Sequence, residues 1–362
     1  MKSSILSLVR ENIKAMKAYS SARSLYTSGI LLDANESPYS LVGNQDGLNR
    51  YPDGSNKALR EKIAQIYEIG LENLALGNGS DEIIDLLVRI FCNPAKESIM
   101  ILPPTFGMYR VAANMNDIGI EEFTHPEFFQ WEKNVLPLSL RVPEILESIH
   151  PGIKILFICN PNNPTGSTFN RMDILELVEK SPCIVVVDEA YGDFMKEESL
   201  VSEIGNFSNL VILKTMSKAY ALAGIRLGMA ISSSEIIELI QKVKLPYNIN
   251  LLTSGIFLDQ PDFSEKVKGN IQQILLEKEM LQNSLREHPL IQCLIPSEGN
   301  FFLARFHESE KVFEELVNRG IIVRKVDPKF GLESCLRISV GTPEENQLLI
   351  EALHQIHASH LS

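Results

Sequence analysis

The chain has 362 residues, 44% of them hydrophobic and 22% charged, which is typical of a soluble globular protein with at least one large core. Its formal net charge of -12 disfavours nucleic acid as a partner, because a phosphate backbone would repel it. No apolar run approaches the roughly 20 residues that span a bilayer, and the first residues lack a secretory apolar core, so we expect a cytoplasmic protein and no membrane partner. The five cysteines form no CxxC pair, which argues against a zinc knuckle and a disulfide framework.

Helical periodicity alternates with short apolar runs from about residue 55 onward. Short apolar runs separated by helices are typical of a parallel sheet that helices cover on both faces. The sequence therefore predicts an α/β fold, in which a large domain has a mostly parallel sheet. The predicted helices are 57–67, 80–91 and 172–179, and the predicted strands are 98–102, 154–159, 183–187 and 210–214.

The pattern changes after Pro246 to a long polar-faced helix over 264–286. Helices beside a short, mixed sheet predict a second, smaller α+β domain. We expect an N-terminal arm over 1–30 that belongs to neither core, a large domain over 31–250 and a small domain over 251–362. The small domain is predicted to contain strands at 300–306, 321–324 and 335–340 and a helix at 311–319.

Polar side chains follow several of the predicted strands, where ligands bind in open α/β sheets. Prolines and a glycine fix the backbone of residues 160–166 and direct Asn163, although a plain tight turn explains the pattern as well. Asp188 follows a buried strand, where an ionised acid needs a cationic partner unless it serves as a helix N-cap. Tyr191 lies three residues on and is expected to reach the same pocket.

A lysine and several anion-binding groups follow the strand predicted at 210–214. Thr215, Ser217 and Arg226 could hold a phosphate and leave Lys218 free for covalent chemistry. Considered alone, Lys218 would be a solvated surface lysine, as most lysines are.

A glycine-containing turn at residues 76–79 opens the helix predicted at 80–91. The free backbone N–H groups of Ser80 and Asp81, at the positive end of the helix dipole, are suited to bind a phosphate. An N-cap made by either side chain explains the same residues almost as well. The turn is not a complete dinucleotide-binding fingerprint.

Together these turns supply an amine nucleophile, a buried acid, partners for a ring hydroxyl and a phosphate cradle. Pyridoxal phosphate requires this combination: a lysine forms a Schiff base with its aldehyde, a carboxylate keeps its ring nitrogen protonated, and its phosphate is anchored. The sequence therefore predicts pyridoxal 5'-phosphate as the cofactor.

The chain resembles the fold-type I pyridoxal-phosphate aminotransferases over nearly its whole length, and among them the histidinol-phosphate aminotransferases. Each motif is shared by many relatives, but their order and spacing are specific. In chain order the motifs are DANE (33–36), YPDG (51–54), GSDE (79–82), PTFGMY (104–109), NNPTG (162–166), DEAY (188–191), SK (217–218) and LRISVGT (336–342).

The resemblance implies three catalytic residues. Lys218 is the lysine that binds the cofactor and moves the proton, Asp188 is the partner of the ring nitrogen, and Tyr191 contacts the ring hydroxyl together with Asn163. Phe106 covers the ring face, at a position where tyrosine is common in the family. The implied phosphate ligands are Ser80, Asp81, Thr215, Ser217 and Arg226, with Tyr51 reaching the phosphate from the other subunit of a homodimer.

The same resemblance implies the substrate-binding residues. Arg337 matches the arginine that binds the substrate carboxylate, since its planar fork fits a carboxylate or a phosphate in two parallel hydrogen bonds. Arg324 and Tyr19 match positions that bind the substrate phosphate, Tyr19 from the partner chain, and Asn163 also faces the substrate. A surface arginine and a packing tyrosine are the alternatives for these two positions.

The implied reaction is transamination of L-histidinol phosphate with 2-oxoglutarate in histidine biosynthesis, giving imidazole acetol phosphate and glutamate. An aromatic amino acid aminotransferase and an O-phospho-threonine decarboxylase are the alternatives within the same chemistry. A transcription regulator with a domain of this kind is disfavoured, because the leading arm is too short for a helix-turn-helix. No metal site is expected: His354, His357 and His360 lie on one face of a helix but have no acidic or cysteine ligand with them.

Overall fold

The computed structural model describes residues 5–19, 29–42, 47–124, 133, 135–260 and 264–360. Within them the chain forms two β-sheets flanked by helices. The strands are β1 (Leu74–Asn78), β2 (Ser98–Ile101), β3 (Gly119–Glu122), β4 (Ile153–Cys159), β5 (Ile184–Asp188), β6 (Leu210–Thr215), β7 (Leu227–Ser232), β8 (Ile291–Ile295), β9 (Phe301–Phe306), β10 (Arg324–Lys325) and β11 (Cys335–Ser339).

Helices connect most of these strands. None of the described helices is both long and apolar enough to cross a membrane. The helices are α1 (Ile5–Leu8), α2 (Glu11–Ala15), α3 (Lys57–Tyr67), α4 (Ser80–Phe91), α5 (Met108–Met115), α6 (Val142–Ser148), α7 (Arg171–Lys180), α8 (Ser234–Val243), α9 (Leu251–Leu258), α10 (Ser264–Leu285), α11 (Ser309–Asn318) and α12 (Pro343–His360).

The larger sheet has the strand order β1-β7-β6-β5-β4-β2-β3. The pairs between β6, β5, β4, β2 and β3 are parallel, whereas β7 runs antiparallel to both of its neighbours. The predicted α/β fold with a mostly parallel sheet is therefore confirmed. Every residue of β5, β6 and β7 is buried, because helices cover both faces of the sheet.

Each face of the larger sheet has its own apolar core, because successive side chains of a strand point to opposite faces. Val185 and Val187 face the core beneath α3, α6 and α7, which we call the α3 face. Ile184 and Val186 face the core beneath α4, α5 and α8, the α4 face.

The described part of the predicted arm packs against this sheet. Ile5 of α1, Val9 between the two helices and Ile13 of α2 are buried in the core of the α4 face. The backbone N–H of Arg10 donates to the Ile90 carbonyl at 3.1 Å, and the Lys242 ammonium donates to the carbonyl of Ile13 at 2.7 Å. The expectation that the arm belongs to neither core is therefore wrong for residues 5–15, because their apolar side chains complete that core. The domain boundaries at 30 and 250 remain predictions.

The smaller sheet is antiparallel, with the strand order β10-β11-β9-β8, and packs against α10, α11 and α12. The strand predicted at 321–324 is a two-residue strand, Arg324–Lys325, because only this stretch pairs with β11. Four strands were not predicted. Strands β1 and β7 contain glycine, and β3 is an exposed edge strand that lacks the apolar signal; the fourth is β8.

Candidate active site

A cleft of about 750 Å³ lies where the carboxyl ends of the parallel strands face the smaller sheet. Parallel strands end at the same edge, so residues far apart in sequence meet there. Among the residues that line the cleft are the predicted site residues Ser80, Asp81, Phe106, Asn163, Asp188, Tyr191, Thr215, Ser217, Lys218, Arg226, Arg324 and Arg337.

Asp188, the last residue of β5, is a buried acid with only 2% of its surface exposed. Its Oδ2 accepts a hydrogen bond from the Tyr109 hydroxyl at 2.8 Å, and its Oδ1 accepts one from the backbone N–H of Ala190 at 3.0 Å. Burial raises the pKa of Asp188 to about 6, although both hydrogen bonds lower it. No described cation forms an ion pair with Asp188, so the two hydrogen bonds are the direct contacts that stabilise its charge.

Lys218 lies in the turn after β6, with its Nζ 5.2 Å from the centroid of the Tyr191 ring. Burial lowers the pKa of Lys218, and the nearby cations Arg337 and Arg226 lower it further. A lowered pKa increases the fraction of unprotonated amine at neutral pH, which is the form that attacks a carbonyl or accepts a proton.

Asn163 connects Tyr191 to Arg337. Its Nδ2 lies 3.4 Å from the Tyr191 hydroxyl, and its Oδ1 accepts a hydrogen bond from the Arg337 guanidinium. The guanidinium also lies over the ring of Phe301, 5.5 Å from the centroid. These contacts hold Arg337, on β11 of the smaller sheet, against a turn of the larger sheet.

The start of α4 forms an open cradle of backbone N–H groups. The N-cap is Gly79, with φ of +76°, so no side chain caps the first N–H groups of the helix. A Cβ at this position would lie 2.5 Å from the Arg226 guanidinium. A Cβ on Gly228 of β7 would lie 2.1 Å from the Ser80 nitrogen. Glycine at both positions therefore allows β7 and Arg226 to approach the helix start, where N–H groups bind anions.

Hydroxyl groups complete this cradle. The Thr215 hydroxyl, at the end of β6, lies 3.0 Å from that of Ser217, and the Arg226 guanidinium lies 3.3 Å from the Asp81 carboxylate. The sequence analysis predicted that phosphate ligands from two separate parts of the chain, residues 80–81 and residues 215–226, meet at one site. This arrangement is consistent with that prediction. The roles of these residues remain a prediction.

Basic side chains outnumber acidic ones in the lining of the cleft, although the chain as a whole is acidic. Six lysine and arginine side chains line the cleft against three acids. A cleft with this excess attracts anionic ligands and repels cations. The lining cations are Arg110, Lys218, Arg226, Arg324, Lys325 and Arg337.

Two predicted site residues do not line the cleft of this chain. Tyr19 is 75% exposed. Tyr51 is 50% exposed and stacks on Tyr247 with 4.6 Å between the ring centroids. Both were predicted to act in the site of a second subunit.

Tyr109 is the buried group of the site that sequence reasoning missed. It ends the motif PTFGMY, which was used only for the resemblance. Its ring stacks on Phe157 with 4.6 Å between centroids, and Phe106 meets it edge-on at 5.7 Å. The sequence signal that could have identified Tyr109 is its position three residues after Phe106, which was predicted to face the cofactor.

No group of His, Cys, Asp and Glu residues in the described part of the chain could hold a metal ion. His354 and His357 of α12 pack instead against the ring of His288, with centroids 4.7 and 6.3 Å away. The side chain of His360, the third histidine of the series, lies outside the described residues.

The chain matches the family model of aminotransferase class I and II over residues 22–353. It is 40% identical to the histidinol-phosphate aminotransferase of Flavobacterium johnsoniae over 354 residues, which cover 96% of this chain and 97% of that protein.

Solved structures show the same fold. The histidinol-phosphate aminotransferase from Clostridium acetobutylicum has a TM-score of 0.75 at 24% identity, covering 86% of this chain and 92% of that one. The enzyme from Sinorhizobium meliloti, in complex with pyridoxal-5'-phosphate, has a TM-score of 0.74 at 20% identity and covers 86% and 84% of the two chains. From the family model and the sequence identity together, the chain belongs to the class I and II aminotransferases, and within them to the histidinol-phosphate aminotransferase family.

Proposed function

We propose that this chain uses pyridoxal phosphate to transfer the amino group of L-histidinol phosphate to 2-oxoglutarate, giving imidazole acetol phosphate and glutamate in histidine biosynthesis. The observation that carries the proposal is the joining of a buried acid, a lysine of lowered pKa and two arginines in one cleft. Family membership supports the reaction class.

The residues of the cleft fit the cofactor. The buried carboxylate of Asp188 forms no ion pair with the described residues, and a protonated ring nitrogen would supply one. The uncapped start of α4, kept open by Gly79 and Gly228, suits a phosphate. The Phe106 side chain, which lines the cleft, can cover a ring face.

When bound, pyridoxal phosphate supplies an aldehyde for Schiff-base formation and a ring that accepts electrons. The amine of Lys218 would attach the cofactor through its aldehyde and, as a free amine, would be the base that takes a proton from the substrate α-carbon. The carboxylate of Asp188 would hold the proton on the ring nitrogen. Tyr191 stays protonated, because burial raises the pKa of its hydroxyl, so with Asn163 it can donate a hydrogen bond to the ring oxygen.

Each half-reaction brings a different anion to the same cleft. Histidinol phosphate carries a phosphate, whereas 2-oxoglutarate and glutamate carry carboxylates. Arg337 is suited to both because its planar fork accepts either anion, and Arg324 extends the same positive surface for the phosphate. Burial lowers the pKa of Arg337, and the nearby Arg324 lowers it further, so an anion between the two arginines relieves their repulsion.

A half-transamination assay tests the proposal. We expect L-histidinol phosphate to convert the visible absorption of the purified holoenzyme, whereas phenylalanine and tyrosine act slowly and O-phospho-L-threonine releases no carbon dioxide. Rapid turnover of the aromatic amino acids alone would favour an aromatic aminotransferase. Release of carbon dioxide from O-phospho-L-threonine would favour a decarboxylase.

We also propose that the active form is a cytoplasmic homodimer in which Tyr51 and Tyr19 reach the partner's cleft. Large apolar side chains are exposed in one stretch before α3, including Ile30, Leu32 and Leu41, each at least 86% exposed. Apolar surface of this extent is typical of an interface. A second copy of the chain is the partner that would bring Tyr51 to a cradle it does not reach within its own chain.

Subunit mixing tests the dimer. Lys218→Ala and Tyr51→Ala subunits are each expected to be impaired alone, whereas a hybrid has one intact cleft, with Lys218 from one chain and Tyr51 from the other. After random exchange the mixture should recover up to about a quarter of wild-type activity, since half the dimers are hybrids and half their sites are intact. No recovery in demonstrated hybrids would contradict the sharing of Tyr51.

A further inference from the structure

Tyr109 lies directly beneath the cleft wall and has no exposed surface. Its hydroxyl donates to Asp188 Oδ2 at 2.8 Å across 79 residues of sequence. Helix α5, which begins at Met108, holds Tyr109 on the α4 face, where its ring packs flat on Phe157 of β4. The hydroxyl therefore has a fixed direction toward the carboxylate.

The same ring also touches the residue that lines the cleft. Phe106 lies three residues before Tyr109, and the two rings meet edge-on with centroids 5.7 Å apart. Tyr109 thus contacts both Phe106, the aromatic residue facing the cleft, and Asp188, the acid facing it. One rigid side chain links the two.

We propose that Tyr109 is a positioning residue, whose hydroxyl holds the Asp188 carboxylate ionised and directed at the ring nitrogen of the bound cofactor. The role rests on the proposed function, because it requires the cofactor ring to lie against Asp188. Oδ1 is held by the Ala190 N–H and Oδ2 by Tyr109, so the carboxylate cannot rotate without losing a hydrogen bond. A hydrogen bond to a charged group in a buried site is among the stronger ones.

The charge state of Asp188 depends on all the groups that face it. Burial opposes the carboxylate, and the acids nearby oppose it further. The Tyr109 hydroxyl is the only side-chain hydrogen-bond donor to it among the described residues. The titratable groups that interact with Asp188 are Asp81 of α4, Tyr109 of α5, Cys159 of β4, and Glu189, Tyr191 and Lys218 in the turns after β5 and β6.

Tyr109→Phe separates this role from simple packing, because it keeps the ring and removes only the hydroxyl. Ser232→Ala is the matched control: Ser232 is fully buried in the same sheet, and its hydroxyl donates to the Leu210 carbonyl at 2.5 Å, at the opposite ends of β6 and β7 from the cleft. Both variants lose one buried hydrogen bond of a hydroxyl, but only the first loses a bond to a carboxylate.

The first measurement is urea unfolding of the cofactor-free enzyme from pH 4.5 to pH 8. The folded-state pKa of Asp188 is raised, so the charge costs stability as pH rises from the unfolded value of 3.8 through about 6. Removing the hydroxyl should raise this pKa by about one unit or more. The loss of stability in Tyr109→Phe should therefore be small at pH 4.5 and grow toward pH 8, whereas the loss in Ser232→Ala should stay constant.

The Asp188→Asn background completes this measurement. With no titrating carboxyl at position 188, Tyr109→Phe should cause a loss that no longer grows with pH. A pH-independent loss in the wild-type background, or growth with pH that persists when Tyr109→Phe is combined with Asp188→Asn, would overturn the proposal.

The second measurement uses the holoenzyme and its visible absorption as pH is raised. Without the Tyr109 hydrogen bond the Asp188 carboxylate is the stronger base, so the proton that it would share with the ring nitrogen lies closer to the carboxylate. The ring would then carry less positive charge, and the nitrogen that would join Lys218 to the cofactor would keep its proton to higher pH. The pH at the midpoint of the absorption change should therefore be higher in Tyr109→Phe than in the wild type, and unchanged in Ser232→Ala. Equal midpoints in all three proteins would refute the positioning role. A wild-type protein that binds no pyridoxal phosphate would overturn the proposed function, while the unfolding experiment would still report on the bond itself.

Discussion

Asp188 and Glu189 are adjacent and both buried, yet the chain treats the two carboxylates differently. Glu189 lies toward the α3 face, where the Lys214 ammonium is 3.1 Å from its Oε2. The Ser199 hydroxyl and the Leu200 N–H also donate to it. Asp188 lies toward the cleft and receives hydrogen bonds but no ion pair from the described residues.

The presence of an ion pair at Glu189 and its absence at Asp188 in the described part of the chain indicate that the buried charge of Glu189 has a structural role. Lys214 is 2% exposed and contacts two carboxylates, Glu189 and Asp193 at 3.5 Å. Burial lowers the pKa of Lys214, but the two acids outweigh it and the net pKa is raised, so the cluster is charged and satisfied within the fold. Asp188, in contrast, has no ion-pair partner among the described residues, although burial raises its pKa. A buried acid of this kind marks a functional site.

The largest expected effect falls on the cleft side of the comparison. Lys218→Ala should reduce turnover by about 10⁴-fold, because in the proposed mechanism it removes both the covalent attachment of the cofactor and the proton carrier. Steady-state transamination measures the loss, and borohydride reduction of the holoenzyme should label Lys218 in the wild type and no lysine in the variant. Lys180→Ala, on the surface of α7, is the control and should leave activity unchanged. Normal labelling of the Lys218→Ala protein would place the nucleophile elsewhere.

On the α3 face the expected loss is one of stability. Lys214→Met leaves Glu189 buried without its ammonium, which should lower the free energy of unfolding by about 3 to 5 kcal/mol. Urea unfolding measures it, and a second substitution, Glu189→Gln, should restore part of the loss by removing the unpaired charge. Holoenzyme that remains folded should keep most of its kcat. A loss of kcat with full stability would mean that the Lys214 cluster belongs to the site.

Asp188→Asn should have the opposite effect to Lys214→Met: a loss of kcat without a loss of stability. We expect kcat to fall by about 10²- to 10³-fold, because the amide cannot stabilise a positive ring nitrogen. The unfolding free energy of the cofactor-free protein at pH 7 should stay constant or rise, since a buried charge without a counter-ion is removed. If Asp188→Asn is as destabilised as Lys214→Met, the distinction between a structural Glu189 and a functional Asp188 is contradicted.

Residues in apolar runs were predictable from the sequence because their signal is local. Strand β5 and helix α4 were found within one residue of their observed bounds. Strand β3 was missed because its sequence, GIEE, is an exposed edge without an apolar run. Strand β7, which follows the turn that carries Lys218, was also missed, and the glycine within it interrupts the apolar run.

The cleft was predictable to the extent that it follows from strand ends. Asp188 and Lys218 each follow an apolar run, and parallel strands bring such positions together. The contact between Tyr109 and Asp188 depends on how α5 packs on the sheet, and no local pattern encodes it. Lys214 is a lysine inside a buried strand, so the apolar pattern gave no reason to expect its acids.

The smallest expected effect concerns how the cleft handles two substrates. Arg337→Ala should lower kcat/KM by about tenfold to hundredfold, because it removes charge-assisted hydrogen bonds to the substrate anion. If one guanidinium serves both the phosphate and the carboxylate, single-turnover assays should show both half-reactions slowed. Arg324→Ala is the matched comparison, since its position at the edge of the cleft should slow only the half-reaction with histidinol phosphate. A defect in one half-reaction alone for Arg337→Ala would show that the two anions have separate sites, and that the positive charge of the cleft is divided rather than shared.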